Sequence, residues 1–315
     1  MEFALNALKN SPSAKKLFEA VEGGRTPLYI TGICEIYKLI LTATLCENRR
    51  GFLLLPDGAA VDRVYDLLCA IIGQENILRF DSRDNVFYKV ENMSRKAELD
   101  RIRTIDKIRN KDYKIAVITA DALMQRCPDP SYFERHSLTI NSDESYDMEE
   151  LALHLVNCGY ASCELTEVPG QFSKRGGILE FFSPAYPNPV RIEFFGDDID
   201  SICFYDKATQ RRIENIESAK ILPVLEVIAD KEANLKITEL LRKQIKKLKE
   251  KSEEAQNCAS DIEAIENKRF PSIDRYLPFT APICNILEHD KDAFVFCYDL
   301  SGVKNAFKGY EYRIG

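Results

Sequence analysis

Several signals that would point directly to a chemistry are missing from this chain. Its ten cysteines form no C-x-x-C pair and no evenly spaced frame. Its three histidines, His136, His154 and His289, lie far apart and outside any H-x-x-x-H or Cys/His ligand pattern. Zinc sites are built from closely spaced pairs of such residues, so the pattern predicts no metal site and structural roles for the histidines. There is no long apolar run and no leader-like amino terminus, which predicts a cytoplasmic chain with reduced thiols and no membrane span. Positive charge is also short: 43 Lys and Arg stand against 50 Asp and Glu, a formal charge of -7. Broad duplex binding needs a surface that neutralises phosphates, so this balance argues against it for the whole chain and leaves only local basic patches open.

A working nucleotide site is missing too. Leu28-Tyr29-Ile30-Thr31-Gly32 reads as a strand running into a turn, and Ile36–Leu45 as the helix after it. A phosphate-binding loop at this place needs G-x-x-x-x-G-K-[ST]: amides cradle the phosphates, the lysine neutralises them and the hydroxyl holds magnesium. In Gly32-Ile33-Cys34-Glu35-Ile36-Tyr37-Lys38-Leu39 only Gly32 and Lys38 stand at matching positions. Tyr37 replaces the second glycine, Leu39 replaces the hydroxyl, and Glu35 would repel phosphate. Lys38 therefore reads as an ordinary helix lysine. Downstream, the strand Ala293–Tyr298 runs into Asp299-Leu300-Ser301-Gly302. ATP-hydrolysing helicase cores place an aspartate for magnesium and a glutamate for water at such a strand end, and Leu300 cannot take the glutamate's part. No catalytic residue and no cofactor are expected in this chain.

What is present is a well-patterned globular chain. Its 315 residues suffice for about two domains, and 45% apolar residues supply their cores. An amphipathic helix is expected within residues 1–20, with Leu5, Leu8, Ala14, Leu17 and Phe18 on its apolar side. Buried strands Gly51–Leu55, Ile77–Phe80 and Lys114–Thr119 alternate with helices Ala59–Ile72 and Ser94–Asn110, which predicts a parallel, doubly wound α/β sheet. The break Cys127-Pro128-Asp129-Pro130 opens an inserted α+β domain with a helix at Met148–Cys158 ahead of its strands. The expected boundaries are 1–126 for the first part of the α/β domain, 127–220 for the insert and 221–315 for the returning part. The last of these is expected to hold one long helix, Lys231–Asn267, whose interleaved charges read as a solvated face, and to close on strands Ala293–Tyr298 and Tyr310–Ile314.

The most informative stretch is Pro169–Asp206, PGQFSKRGGILEFFSPAYPNPVRIEFFGDDIDSICFYD. A basic glycine turn, Lys174-Arg175-Gly176-Gly177, precedes three alternating apolar runs, Ile178–Phe182, Val190–Phe195 and Ile199–Tyr205. Such alternation, broken by Gly, Pro and Asp, marks short antiparallel strands. The segment closely resembles the second domain of the excision-repair helicase UvrB and of the transcription-repair coupling factors, through RGGILEFFSP, VRIEFFGDDIDSI and the run Phe204-Tyr205-Asp206 to Thr209-Gln210-Arg211. In LLLPDGAAVDRVYDLL, VITADALMQR and Arg275–Phe279 (RYLPF) the rest of the chain resembles the coupling factors' amino-terminal region. The resemblance implies a degenerate helicase-like fold (P-loop NTPase-like) with an inserted domain, as in UvrB. UvrB itself keeps an intact nucleotide loop and inserts a tyrosine-rich hairpin, for which Phe80–Ser94 is too short here. The alternative, a UvrB-like ATP-dependent DNA helicase subunit, is disfavoured on those two grounds.

In that family the second domain docks UvrA, the damage-recognition ATPase. Carried over by position, Arg175, Arg191 and Phe195 fall on the UvrA contacts, with Lys174 at the rim and Glu193 orienting a neighbouring arginine. The residue types suit the task, since arginines bind carboxylates through charge-assisted forks and aromatic anchors are frequent hot spots. Two alternatives stay open. Arg191 can instead form a cross-strand pair with Glu180 or Glu193, and Phe195 can be core, since only one of Phe194 and Phe195 faces inward. The resemblance further implies a longer protein, in which RNA polymerase, DNA, ATP and magnesium are handled by domains absent from this chain.

Overall fold

The computed structural model describes residues 11–83, 95–226, 228, 231–249, 252–266 and 282–314. Expectations for Leu5, Leu8, most of Phe80–Ser94 and Arg275–Phe279 lie outside these residues. The strands are β1 (Gly51–Leu55), β2 (Ile77–Phe80), β3 (Ile115–Thr119), β4 (Cys127–Pro128), β5 (Leu138–Asn141), β6 (Ala161–Ser162) and β7 (Gln171–Arg175). They continue with β8 (Ile178–Phe181), β9 (Val190–Phe195), β10 (Asp198–Tyr205), β11 (Arg212–Asn215), β12 (Ser218–Ile221), β13 (Ile283–Cys284) and β14 (Phe294–Cys297). The chain divides into two compact units. One comprises Met1–Arg83, Thr104–Arg126 and Asn285–Gly315, the other Asp84–Arg103 and Cys127–Cys284.

The first unit is an α/β layer structure. Its four-stranded sheet has the order β14-β1-β3-β2, and every pair is parallel. The central strands β1 and β3 are buried along their whole length, as strands covered on both faces must be. Leu53, Leu55 and Val117 pack with Leu39 of helix Glu35–Leu45 and with Val61, Val64 and Leu68 of helix Gly58–Ile72. Leu54 packs with Ala120 and with Val303, joined by Leu123 and Phe307. Asp57 caps helix Gly58–Ile72 by accepting from the amide of Ala60 at 2.8 Å.

The second unit is built on a six-stranded sheet of order β11-β10-β9-β8-β7-β6, antiparallel except between β6 and β7. Helix Met148–Asn157 supplies Leu151 and Leu155 to a core completed by Phe172, Leu179, Phe181, Val190, Ile192 and Ile202. Asp147 accepts from the amides of Glu149 and Glu150 at 2.7 and 3.0 Å and so starts this helix. Within the same unit, Arg101 places Nε and one terminal nitrogen 2.9 Å from the two oxygens of Glu226, and both side chains are buried.

Three expectations about local structure are corrected. Leu28–Gly32 is not a strand: Leu28, Tyr29 and Ile30 are solvent-exposed, Tyr29 by 78%. Among the described residues no strand pairs with this run, so its apolar side chains stay uncovered. The single helix Lys231–Asn267 is a hairpin of Lys231–Ile245 and Glu253–Glu266. Its halves pack through Ala233, Ile237 and Leu241 against Cys258, Ile262 and Ile265, and Ser252 caps the second half by accepting from Ala255 at 3.2 Å. Tyr310–Ile314 belongs to helix Leu300–Ile314 rather than a strand, because Val303, Ala306 and Phe307 recur at helical spacing and face the core. Among the described residues no helix is long and apolar enough to cross a membrane.

Asp290 holds the edge of the parallel sheet. Its carboxylate accepts from Arg50 Nε at 2.6 Å and from the Tyr113 hydroxyl at 3.0 Å. Burial alone would raise its pKa, but these two bonds and the Arg50 charge outweigh it and set the group below the ordinary aspartate value. A lowered folded pKa contributes stability that is complete above the unfolded value of about 4 and is lost as the pH falls through the folded one. Asp290→Asn is therefore expected to lower the urea midpoint at neutral pH and to flatten its decline below about pH 4. An acid decline as steep in the variant as in the parent would contradict this role.

Candidate functional site

The face of the six-stranded sheet opposite helix Met148–Asn157 carries most of the residues singled out in the sequence. Period-two alternation turns Val190, Ile192 and Phe194 of β9 toward the core and Arg191, Glu193 and Phe195 away from it. The register of the hairpins then sets rows across this outer face. One row runs Arg175, Ile178, Glu193, Ser201 across β7 to β10. The next runs Ser173, Glu180, Arg191, Cys203. Phe195 sits beyond both, opposite Asp198 at the end of β9.

The two rows differ in character. In the second, Glu180 is buried, yet both of its oxygens are satisfied. Oε1 accepts from Arg191, with nitrogens at 2.6 and 2.7 Å, and Oε2 accepts from Ser173 Oγ at 2.9 Å. Arg191 also reaches Oε1 of Gln210 at 3.2 Å, and its guanidinium lies 4.5 Å from the centre of the Tyr205 ring. Burial, and then the Glu180 carboxylate, push the Tyr205 phenol above its usual pKa. Of the two readings of Arg191, the structure displays the cross-strand pair with Glu180. In the first row the side chains are more open. Arg175 is exposed, hydrogen-bonded to the Glu164 carbonyl and 4.0 Å from Glu180. Glu193 accepts from Arg212 at 3.1 Å and from Ser201 at 3.0 Å, so the arginine it orients is Arg212.

Phe195 is the most exposed apolar side chain of this face, at 84%, whereas Phe194 packs against the core. Between the two readings of Phe195, the outward one is observed. The turn beside it depends on glycine. Gly176 has φ 56°, and a Cβ on Gly177 would lie 2.9 Å from the Phe194 carbonyl oxygen. Lys174 does not join the patch. It stands opposite Leu179, a core-facing residue, and forms an ion pair with Glu149 of helix Met148–Asn157. Arg212, brought to the face by β11, was not legible beforehand, since only the β10–β11 register places it beside Glu193.

The residues of the degenerate nucleotide loop are held by the α/β unit itself. Gly32 has φ 75°, and Tyr37 is exposed. Lys38 donates to the Tyr298 carbonyl at 3.4 Å and lies 4.9 Å from that ring's centre. Leu39 is fully buried in the core. Asp299 accepts from the amides of Ser301 and Gly302 at 3.1 and 3.0 Å, the geometry of a helix cap. Elsewhere, Cys127 and Cys284 face each other across β4 and β13 with sulfurs 3.8 Å apart, a pairing that their sequence separation concealed. Their mutual hydrogen bond and burial hold the Cys127 thiol well above its usual pKa.

Comparison with known proteins agrees with the resemblance read from the sequence. Residues 138–227 match the family described as the UvrB interaction domain. The chain is similar to the transcription-repair-coupling factor of Bacillus subtilis (strain 168), 26% identical over 248 residues, which cover 77% of this chain and 21% of that protein. The corresponding factor of Staphylococcus aureus (strain bovine RF122 / ET3-1) is 26% identical over 221 residues, 70% of this chain and 19% of that protein. The matched region thus spans about a fifth of these relatives' length.

The two rows predict separable phenotypes. Arg191→Ala takes from the buried Glu180 carboxylate its closest cation and is expected to destabilise the chain by about 3 kcal/mol. Phe195→Ala removes a solvated ring and is expected to stay within about 0.5 kcal/mol of the parent. Urea unfolding of both variants checks this, and equal midpoints would contradict the burial of the Glu180 pair.

Proposed function

We propose that this chain is a UvrB-like module of a transcription-repair coupling factor, that its six-stranded sheet docks UvrA, and that it hydrolyses no ATP of its own. The observation that carries the reading is Phe195, an unpartnered ring held at the end of a rigid strand beside the cations Arg175 and Arg212. A preformed aromatic anchor flanked by arginines suits a partner surface with an apolar pocket and carboxylates around it. The match of residues 138–227 to the UvrB interaction domain supports this face, and the similarity to transcription-repair-coupling factors supports the coupling role. In the longer protein, RNA polymerase binding and ATP-driven, magnesium-dependent translocation on DNA fall to other domains.

Within the docking reading, Arg175 and Phe195 touch UvrA directly, whereas Arg191 acts mainly by holding Glu180 and Gln210 in place. Glu193 keeps Arg212 aimed outward, and Lys174 contributes from the opposite face only through helix Met148–Asn157. The test is binding of the purified chain to purified UvrA. Phe195→Ala and Arg175→Ala are each expected to weaken it at least about tenfold, or about 1.4 kcal/mol, without loss of stability. Parental affinity in both would move the docking site off this face. The second part is checked by ATP turnover. None above a heat-inactivated control is expected, and turnover abolished by Lys38→Ala would overturn it.

A further inference from the structure

The break in the helical hairpin gathers charge that the sequence spreads along one line. The run Arg242-Lys243-Gln244-Ile245-Lys246-Lys247-Leu248-Lys249 contains no acid, in a chain of net charge -7. It forms the end of helix Lys231–Ile245 and the turn after it, and its cations are exposed. Arg242 pairs with Glu266 at 2.9 Å, but Lys243, Lys246, Lys247 and Lys249 form no ion pair among the described residues. The nearest described acids, Glu239, Glu253 and Glu254, form none with them either. The contrast with the other basic cluster is clear: Arg50 is bound by Asp290, Lys111 by Asp292 and Lys114 by the Glu47 carbonyl.

Lys243 stands three and four residues before Lys246 and Lys247. Like charges at this spacing repel on a helical turn, so the arrangement opposes the local fold. Cations near a helix carboxyl end gain from its dipole, but that gain fades within the last turn and does not extend to Lys249. A ligand that supplies closely spaced negative charge relieves the repulsion. We propose that this lysine turn binds the phosphate backbone of duplex DNA. Three features select that partner. The unpaired cations are all lysines, flexible point charges that suit a repeating phosphate lattice better than planar carboxylate forks. The hairpin residues 231–266 include no aromatic side chain on which unpaired bases would stack. Duplex DNA also presents about one charge per 1.7 Å of its axis, so several lysines within one turn meet phosphates together. The contact is independent of sequence and separate from the outer face of the six-stranded sheet.

The experiment is fluorescence anisotropy of a labelled blunt-ended duplex titrated with the purified chain, from about 50 to about 200 mM salt. Four phosphate contacts give a log–log salt slope of about -3 to -4, since each contributes about -0.9. The quadruple variant Lys243→Gln, Lys246→Gln, Lys247→Gln, Lys249→Gln is expected to lose most of that slope and to bind at least about tenfold more weakly at the low-salt end. The single charge reversal Lys247→Glu is expected to lower the slope by about one or more, and unchanged circular dichroism shows that either variant still folds. Lys111→Gln is expected to leave binding unaltered. No duplex binding at low salt, or equal binding by parent and quadruple variant, overturns the proposal. So does binding of poly-glutamate but not duplex, which would make the partner an acidic protein.

Discussion

A carboxylate held out of water organises the face that matters most here. Glu180 is buried on β8, between two neighbouring strands, and an unpaired charge there would cost several kcal/mol. Arg191 from β9 and Ser173 from β7 satisfy it from either flank. Each of those strands is one hydrogen-bonded neighbour away, so the pair works only in a single register. A slip by one residue would turn Arg191 to the core and Ile192 to water, with the same inversion along β8. The ion pair thereby fixes where Arg175, Glu193 and Phe195 emerge. The stacking of Arg191 over Tyr205 extends the constraint to β10, and its bond to Gln210 extends it to the turn before β11.

The α/β unit shows what happens to a nucleotide site when its groups are satisfied internally. A catalytic lysine must be free to meet phosphate, but Lys38 is spent on the Tyr298 carbonyl and ring. A magnesium-binding hydroxyl must face the loop, but the matching position is a leucine with no exposed surface. Asp299 uses one oxygen, Oδ1, to cap the helix that follows it. Each group has a structural task that stabilises the sheet and its flanking helices. The parallel sheet and its flanking helices keep the scaffold of a helicase-like core, whatever chemistry the loop once carried.

Much of this was legible because the relevant patterns are local. Period-two alternation located β8, β9 and β10, and continuous apolar runs located β1 and β3. Parity required that only one of Phe194 and Phe195 face inward, and the structure puts Phe194 there. Most of what the sequence left hidden turned on a partner distant along the chain. Leu28–Ile30 had strand composition but no sheet to cover it. Lys174 adjoins Arg175, yet register against Leu179 sends it to the other face. Arg212 could be placed only through β10 and β11, whose pairing carries an irregularity between Phe204 and Tyr205. The hairpin break had a local sign that charge interleaving obscured: Ser252 is a helix-capping residue set in the middle of an otherwise helical pattern.

On the outer face of the six-stranded sheet, Phe195 is the large apolar group that the fold leaves most uncovered. Burying a phenylalanine is worth about 1.5–3 kcal/mol, and its neighbour Phe194 collects that stabilisation. A floppy segment would let an exposed ring collapse onto the surface and recover part of it. Here β9 is clamped between β8 and β10, and the Gly176-Gly177 turn beside it has no side chain to lay over the ring. Rigidity therefore does two things at once. It denies Phe195 an intramolecular resting place, and it removes most of the ordering entropy that a partner would otherwise have to overcome. A surface of this kind binds through a few fixed groups rather than through area. That is why truncations in the exposed row are expected to act on binding and those in the buried row behind it on folding.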